Sequence, residues 1–469
     1  MAQSKTKAKT IGALRASGYS VVPVKEEMRR NLIHKIQKKE RILPGVIGYE
    51  ESVIPQLENA LLSGQDIIFL GERGQAKSRI IRSMIGFLDE AIPIIAGCEI
   101  NDSPYDPICK RCRDLVAEKG DDVEIAWLPR EDRYGEKLAT PDSTIADLIG
   151  EVDPIKVAEG RYLSDELTIH YGLIPRSNRG IFCMNELPDL TERIQVGLFN
   201  IMEERDVQIR GYRIQLPLDV LLVASANPED YTNRGRIITP LRDRYGAQIR
   251  THYPRNVTDE IDIMEQESTR FDDADYEVTV PPYMKEIVAE ITRHARRSPD
   301  VNQRSGVSVR ASIADYESLL ANALRRSIRI NEKNVVPRIS DLPFIIPAFS
   351  GKVEFETVED GKEEQIIEKL LQSAVLTVFN RQFNVVDLEE VVTCFKAGHS
   401  VEVSETSSSK EYVKMVKQVD GLDRAVAKLE PGENLAVIAA GVEFILEGLH
   451  LNKRLNKDKV AGGRTQYRG

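Results

Sequence analysis

The sequence predicts an α/β chain in which a parallel sheet is followed by a long helical region. Short apolar runs, each ending in polar or glycine residues, alternate with amphipathic stretches at helical spacing over the first half. After about Pro254 the apolar runs give way to helix after helix. The first pattern is that of strands covered on both faces by helices, and the second that of a separate helical domain.

Taken in order, residues 1–43 form a basic N-terminal extension. From Lys5 to Arg41 the chain is rich in Lys and Arg and almost free of acids until Glu26. Its first 25 residues are expected to be poorly ordered, whereas Met28, Leu32, Ile33 and Ile36 recur at helical spacing. Pro44-Gly45 breaks the chain. Residues 44–255 then read as the α/β core. VIPQLENALLSGQ is an amphipathic helix, DIIFLGERG a strand running into a glycine turn, SRIIRSMIGFLDEA a helix and IPIIAGCEI a further strand. RGIFCMNE and DVLLVASANP are two more buried strands. Ligands of such sheets sit beyond the carboxyl ends of the strands, where Gly71, Glu186 and Asn227 fall. Residues 256–349, with YMKEIVAEITRHARR and RASIADYESLLANALRRSI, read as a helical lid. Residues 350–469 read as a mainly helical C-terminal extension, with VSETSSSK as a polar linker and a basic tail after the closing helix.

Composition narrows the function classes. Of 469 residues 41% are apolar and 29% charged, ordinary for a globular protein. No run approaches the roughly 20 apolar residues of a membrane span. No apolar segment backs the basic N-terminus, so a cytoplasmic location is expected. The net charge of −10 disfavours nucleic acid as the main partner. Five cysteines are too few for a disulfide scaffold at this length.

FLGERGQAKS, residues 69–78, matches a phosphate-binding loop except that Ala76 stands where glycine is usual. Gly71 and Gly74 supply the turn, Lys77 reaches the β- and γ-phosphates, and the Ser78 hydroxyl suits Mg²⁺. Ala76 adds one methyl, the smallest possible intrusion, and is tolerable if its φ stays negative. GIFCMNE then ends on Asn185-Glu186, where an acidic pair would bind magnesium through water and activate the attacking water. Glu186 is the candidate base. Asn185 can accept a hydrogen bond from metal-bound water but brings no charge. DVLLVASANPED ends on Asn227. TPLRDRYG places Arg242 and Arg244 on a short helix, and GVSVRASIADY places Arg310 at a helix start. Spread charge on a transferring phosphoryl group needs cations from more than one side.

These residues resemble the AAA+ ATPases, and within them the MoxR and magnesium-chelatase ATPase-subunit group, from about Pro44 to Arg329. The most specific stretch is ATPDSTIADLIGEVDPIKVAEGRYLSDELTIHYGLIPRSNRGIFCMNELPDL, similar to the chelatase-type insert leading into the Walker B strand. LFNIMEERDVQIRGYRIQLPLDVLLVASANPEDY resembles the helix and hairpin before sensor 1. The resemblance implies a P-loop AAA+ fold using Mg-ATP, with Val46 and Ile47 beside the adenine. Gly71, Glu72, Arg73, Gly74, Gln75, Ala76, Lys77 and Ser78 would form the phosphate loop, Ser78, Asn185 and Glu186 the magnesium side, and Glu186 the base. Asn227 would be sensor 1, Arg310 sensor 2, and Arg244 the finger reaching a neighbouring subunit's ATP, with Arg242 as runner-up.

An in-trans finger implies a homo-oligomeric ring, most simply a hexamer. Such rings remodel a protein client, often with a von Willebrand A domain partner, or drive metal insertion into a cofactor. The alternative is a nucleotide-dependent switch in which Asn185 keeps hydrolysis weak. Asn185, the long segment 99–140 and the region after Gly351 depart from the family pattern.

Cys98, Cys109 and Cys112 lie in GCEINDSPYDPICKRCRDL. The C-x-x-C pair is half of a structural zinc site, and Cys98 adds a third thiol. His170 is a candidate fourth ligand, though no spacing requires it. Three reduced thiols in a loop is the competing reading.

Overall fold

The computed structural model describes residues 8–153, 155, 158, 166–204, 216–227, 236–269, 275–356, 361–460 and 464–469. Most of the insert between 154 and 165, and the hairpin at 205–215 expected from the family resemblance, lie outside them. The chain divides into two compact units, Met1–His252 and Tyr253–Gly469.

In chain order the strands of the first unit are β1 (Ile67–Leu70), β2 (Ala91–Ile95), β3 (Ile125–Pro129), β4 (Tyr134–Leu138), β5 (Gly150–Val152), β6 (Ile169–Tyr171), β7 (Gly180–Asn185), β8 (Val220–Ala226) and β9 (Ala247–Arg250). Five of them form one sheet in the order β4-β7-β8-β1-β9. Every pairing in it is parallel. The inner strands IIFL, GIFCMN and VLLVASA are buried almost throughout, as both faces of a parallel sheet must be. From β1 the chain leaves toward the β4 edge, and from β8 it crosses β1 to reach β9. The carboxyl ends of β1 and β8 therefore flank the point where the winding reverses, the natural ligand crevice of such a sheet.

Two strands depart from expectation. IPIIAGCEI does not join the sheet: β2 pairs antiparallel with β3 in a separate ribbon. Its place is taken by β4, whose YGEKL is too polar to announce a strand and sits at the sheet edge, where polar residues are tolerated.

Residues 10–37 are built into this unit instead of standing off as an extension. Thr10 bridges Glu124, and the short helix Ile11–Ala16 buries Ile11 and Leu14. The helix Val24–Gln37 buries Val24, Met28 and Leu32 while its basic residues ride outside. It is locked from within by Glu27, 3% exposed, which accepts two bonds from the 1% exposed Arg133 guanidinium at 2.7 and 2.6 Å. Lys25 pairs with buried Asp66 at 2.9 Å, and Asp219 accepts the Val24 N–H at 2.8 Å. The basic run hid this because its charge is on one face and its core contacts on the other.

The second unit holds the long helices Pro282–Ala295, Val309–Arg329, Lys362–Gln382 and Leu435–Leu451. One apolar cluster runs from Met264 to Tyr467, so the expected lid and C-terminal extension share a single core. VSETSSSK is no linker: it ends the strand Ser400–Val403 and caps the helix Ser409–Gln418 through a Ser408–Glu411 capping box. The expected basic tail closes as an antiparallel hairpin, Asn456–Val460 with Arg464–Arg468. Among the described residues no helix is long and apolar enough to cross a membrane.

Candidate functional site

The phosphate loop joins β1 to the helix Lys77–Ser83. Gly71 N–H donates to the Ala226 carbonyl at 3.1 Å, which draws the loop against the end of β8 and puts Asn227 beside it. Gly71 has no room for a side chain, since a Cβ there would lie 1.9 Å from Thr251 Oγ1 and 2.3 Å from Gln75 Oε1. Gln75, buried, braces the loop: its Oε1 accepts from Glu72 N–H at 3.1 Å and from Thr251 Oγ1 at 2.7 Å. Lys77 is 7% exposed and donates to the carbonyls of Gly71 and of Glu72, the latter at 2.9 Å. An incoming phosphate would compete with these carbonyls for the ammonium. Ser78 is exposed at the first turn of the helix.

Ala76 does not meet the condition of a negative φ. Its φ is +56°, in the left-handed region, not negative. The turn from Gly74, itself at φ +74°, into the helix needs that geometry. Glycine is usual here for its freedom as much as for its size, and alanine holds the same turn at a cost of about 1–2 kcal/mol.

The segment carrying Val46 and Ile47 is tied to the loop by a residue that sequence reasoning missed. The Tyr49 hydroxyl lies 2.9 Å from the Gln75 carbonyl and 2.7 Å from that of His252. Burial pushes its phenol up to about 12, so it stays protonated. Val46 is buried with Leu43, Tyr49 and Val53 in the cluster below the loop. Ile47 is half-buried.

At the end of β7, Asn185 is 8% exposed and both ends of its amide are hydrogen-bonded. The NH₂ group donates to Glu136 on the neighbouring β4, and Oδ1 accepts from Ser225 Oγ at 3.2 Å. The orientation is dictated by chemistry, because a carboxylate can only accept. Arg82, on the helix behind the phosphate loop, grips Glu136 with two bonds of 3.0 Å, and the Tyr134 hydroxyl adds a third. The Arg82 guanidinium, with those other donors, holds the Glu136 carboxyl below the usual carboxylate range. Glu186 follows with φ +53°, a strained backbone for a non-glycine residue, and its N–H donates to Ser225 Oγ at 3.2 Å. Asn227, at the end of β8, is 3% exposed.

The first unit thus brings Lys77, Ser78, Asn185, Glu186 and Asn227 to the carboxyl ends of three adjacent strands. Arg242 and Arg244 sit on the helix Thr239–Arg244 of the same unit. Arg242 is exposed, whereas Arg244 is half-buried with its guanidinium 4.9 Å from the Phe199 ring centre. Arg310 belongs to the second unit and is exposed at the start of the helix Val309–Arg329. Glu136, Thr251 and Tyr49 were not legible as site residues, for none stands at a motif position.

Cys98, Cys109 and Cys112 come together as their spacing suggested, but the fourth group is Asp102. The four candidate ligand atoms lie within 4.8 Å of one another. His170 is exposed on β6 and outside this cluster.

A parallel sheet with a glycine turn and buried lysine after β1, a glutamate after β7 and a buried asparagine after the intervening β8 defines a P-loop module of the AAA+ type. Within that class the chain is similar in sequence to magnesium-chelatase ATPase subunits. It is 29% identical over 231 residues to the magnesium-chelatase subunit ChlI of Nostoc sp., covering 48% of this chain and 57% of that protein. It is 27% identical over 251 residues to the chloroplastic subunit ChlI-2 of Arabidopsis thaliana, covering 51% and 56%. The chain spans a little over half the length of these curated relatives. No family model matches the chain. Among solved structures, NtrX of Brucella abortus with ATP overlays 86% of this chain and 72% of that chain at 13% identity and a TM-score of 0.42. The magnesium-chelatase BchI–BchD complex overlays 70% of this chain and 98% of that chain at 18% and 0.35.

Proposed function

We propose that this chain is a Mg-ATP-dependent ring ATPase that remodels a protein client or assists metal insertion into a cofactor, working with a von Willebrand A domain partner. The observation that carries the reading is the convergence of Lys77, Ser78, Glu186 and Asn227 at adjacent strand ends around the Gly71 cradle. The donor set fits magnesium, a hard cation that takes oxygen ligands and keeps several waters. Ser78 would ligate it directly, and Asn185 and Glu186 would hold its waters. ATP supplies the phosphoryl group. Lys77 neutralises charge on the phosphates, Asn227 positions the attacking water and Glu186 accepts its proton. The magnesium-chelatase relatives support a subunit of a larger machine acting on a client.

A ring of about six copies follows if an arginine completes the neighbouring subunit's site. Arg244 is the assigned finger and Arg242 its competitor; sensor 2 is Arg310. Doping wild-type protein with Arg244→Ala or Arg242→Ala subunits separates these roles. A finger variant lowers ATP turnover of mixed rings more than in proportion to its share. A strictly proportional decline for both variants argues against a shared site. Asn185 favours a second reading, a nucleotide-dependent switch with slow hydrolysis, which shares the binding residues but not the turnover.

A further inference from the structure

We propose that Cys98, Asp102, Cys109 and Cys112 bind one structural zinc ion that rivets the chelatase-type insert to the sheet module. The four ligand atoms lie within 4.8 Å of one another. Tetrahedral coordination at about 2.3 Å per thiolate places ligand sulfurs roughly 3.8 Å apart, so one ion closes this set with small movements. An iron–sulfur cluster spreads its ligands over several irons, which so tight a group does not span.

The carboxylate supplies the second observation. Asp102 is fully buried, with Oδ2 accepting the Cys109 N–H at 3.0 Å. Its Oδ1 is buried with no hydrogen-bond partner among the described residues. A buried carboxylate oxygen left open beside three thiols is costly unless a cation completes it. Backbone groups around the cluster also suit thiolates. Asp102 N–H points to Cys98 Sγ at 3.3 Å and Cys112 N–H to Cys109 Sγ at 3.4 Å, the outer hydrogen bonding that supports metal-bound sulfur.

What the ion would hold is visible in the helix Lys110–Lys119, which starts at Cys109. Glu166, from the insert, accepts the Lys110 N–H at 2.7 Å and pairs with Arg113 at 2.8 Å. Cys109 and Cys112 share one apolar cluster with Ile169, Tyr171 and Ile174. The zinc therefore fixes the start of the helix on which the β5–β6 hairpin of the insert rests.

The test is metal analysis and cobalt spectroscopy on the purified full chain. One zinc per chain is expected to survive gel filtration in a chelator. Cobalt-loaded protein is expected to show tetrahedral d–d bands and a thiolate charge-transfer band of three-sulfur intensity. Cys98→Ser reduces that band by about one third, one of three thiolates. Asp102→Asn leaves the band but weakens zinc binding by more than the roughly 10–100-fold that loss of an outer partner costs. His170→Ala changes neither. Wild-type protein that holds no zinc and takes up no cobalt overturns the site. Bound iron overturns its identity, and unaltered affinity in Asp102→Asn overturns the fourth ligand.

Discussion

The amide of Asn185 and the carboxylate of Glu136 are direct hydrogen-bond partners across the β4–β7 strand pair. This contact gives a structural reason for asparagine at the position where the family resemblance leads one to expect aspartate. An aspartate at 185 would set two carboxylates in contact, which raises the pKa of one and costs stability. The acidic charge in contact with Asn185 is carried by Glu136, which Arg82 anchors to the helix Lys77–Ser83. Asn185→Asp is expected to lower apo-protein stability by about 1–3 kcal/mol, and Asn185→Asp with Glu136→Gln to recover most of it. Urea titration of the four-member mutant cycle measures the coupling. Additive losses would mean that the two side chains do not interact.

Ala76 gives a test with unusual sign. Glycine inside an element normally costs about 0.5–1 kcal/mol relative to alanine. At φ +56° the alanine already bears left-handed strain, so Ala76→Gly is expected to leave the melting temperature unchanged or raise it. Ala76→Val, β-branched in the same conformation, is expected to lower it. Calorimetry of both variants decides the matter.

The buried Glu27–Arg133 pair holds the N-terminal helix to the sheet. Glu27→Ala leaves a guanidinium uncompensated in the interior and is expected to cost about 3–5 kcal/mol. The loss should appear as a lower urea midpoint and faster proteolysis within residues 10–37. A variant as stable as wild type would restore the picture of a loose extension.

Asp315 is fully buried in the helix Val309–Arg329, and its carboxylate has no hydrogen-bond partner among the described residues. Burial raises its pKa well above the ordinary value. The folded state therefore binds the proton more tightly than the unfolded chain. Stability from this group is complete below the unfolded value of about 3.9 and falls as pH rises toward the folded one. Asp315→Asn is expected to flatten that fall and to be more stable than wild type at pH 7. Denaturation at acid and neutral pH reads the difference.

Where side-chain type and local spacing coincide, the sequence was legible. IIFL, GIFCMN and VLLVASA are apolar enough to be strands in any context, and Lys77, Glu186 and Asn227 each stand just beyond a strand end. What escaped depends on tertiary neighbours. The edge strand YGEKL is polar because one side of it is open, and IPIIAGCEI was misplaced because an apolar run does not name its partner strand. Glu136 could not be paired with Asn185, nor Thr251 with Gln75, without knowing which strands adjoin. Asp102 escaped for the same reason: a carboxylate four residues from Cys98 belongs to no familiar zinc spacing.

The proposed function requires Glu186 to turn over ATP held by Lys77 and Ser78. Its most direct test is steady-state phosphate release at saturating Mg-ATP from wild type and Glu186→Gln, with nucleotide binding measured on both. Turnover by wild type is expected, with a loss of on the order of 100-fold or more in Glu186→Gln and retained binding. Wild-type phosphate release no faster than that of Glu186→Gln, with ATP bound equally by both, would contradict the enzyme and leave a nucleotide switch.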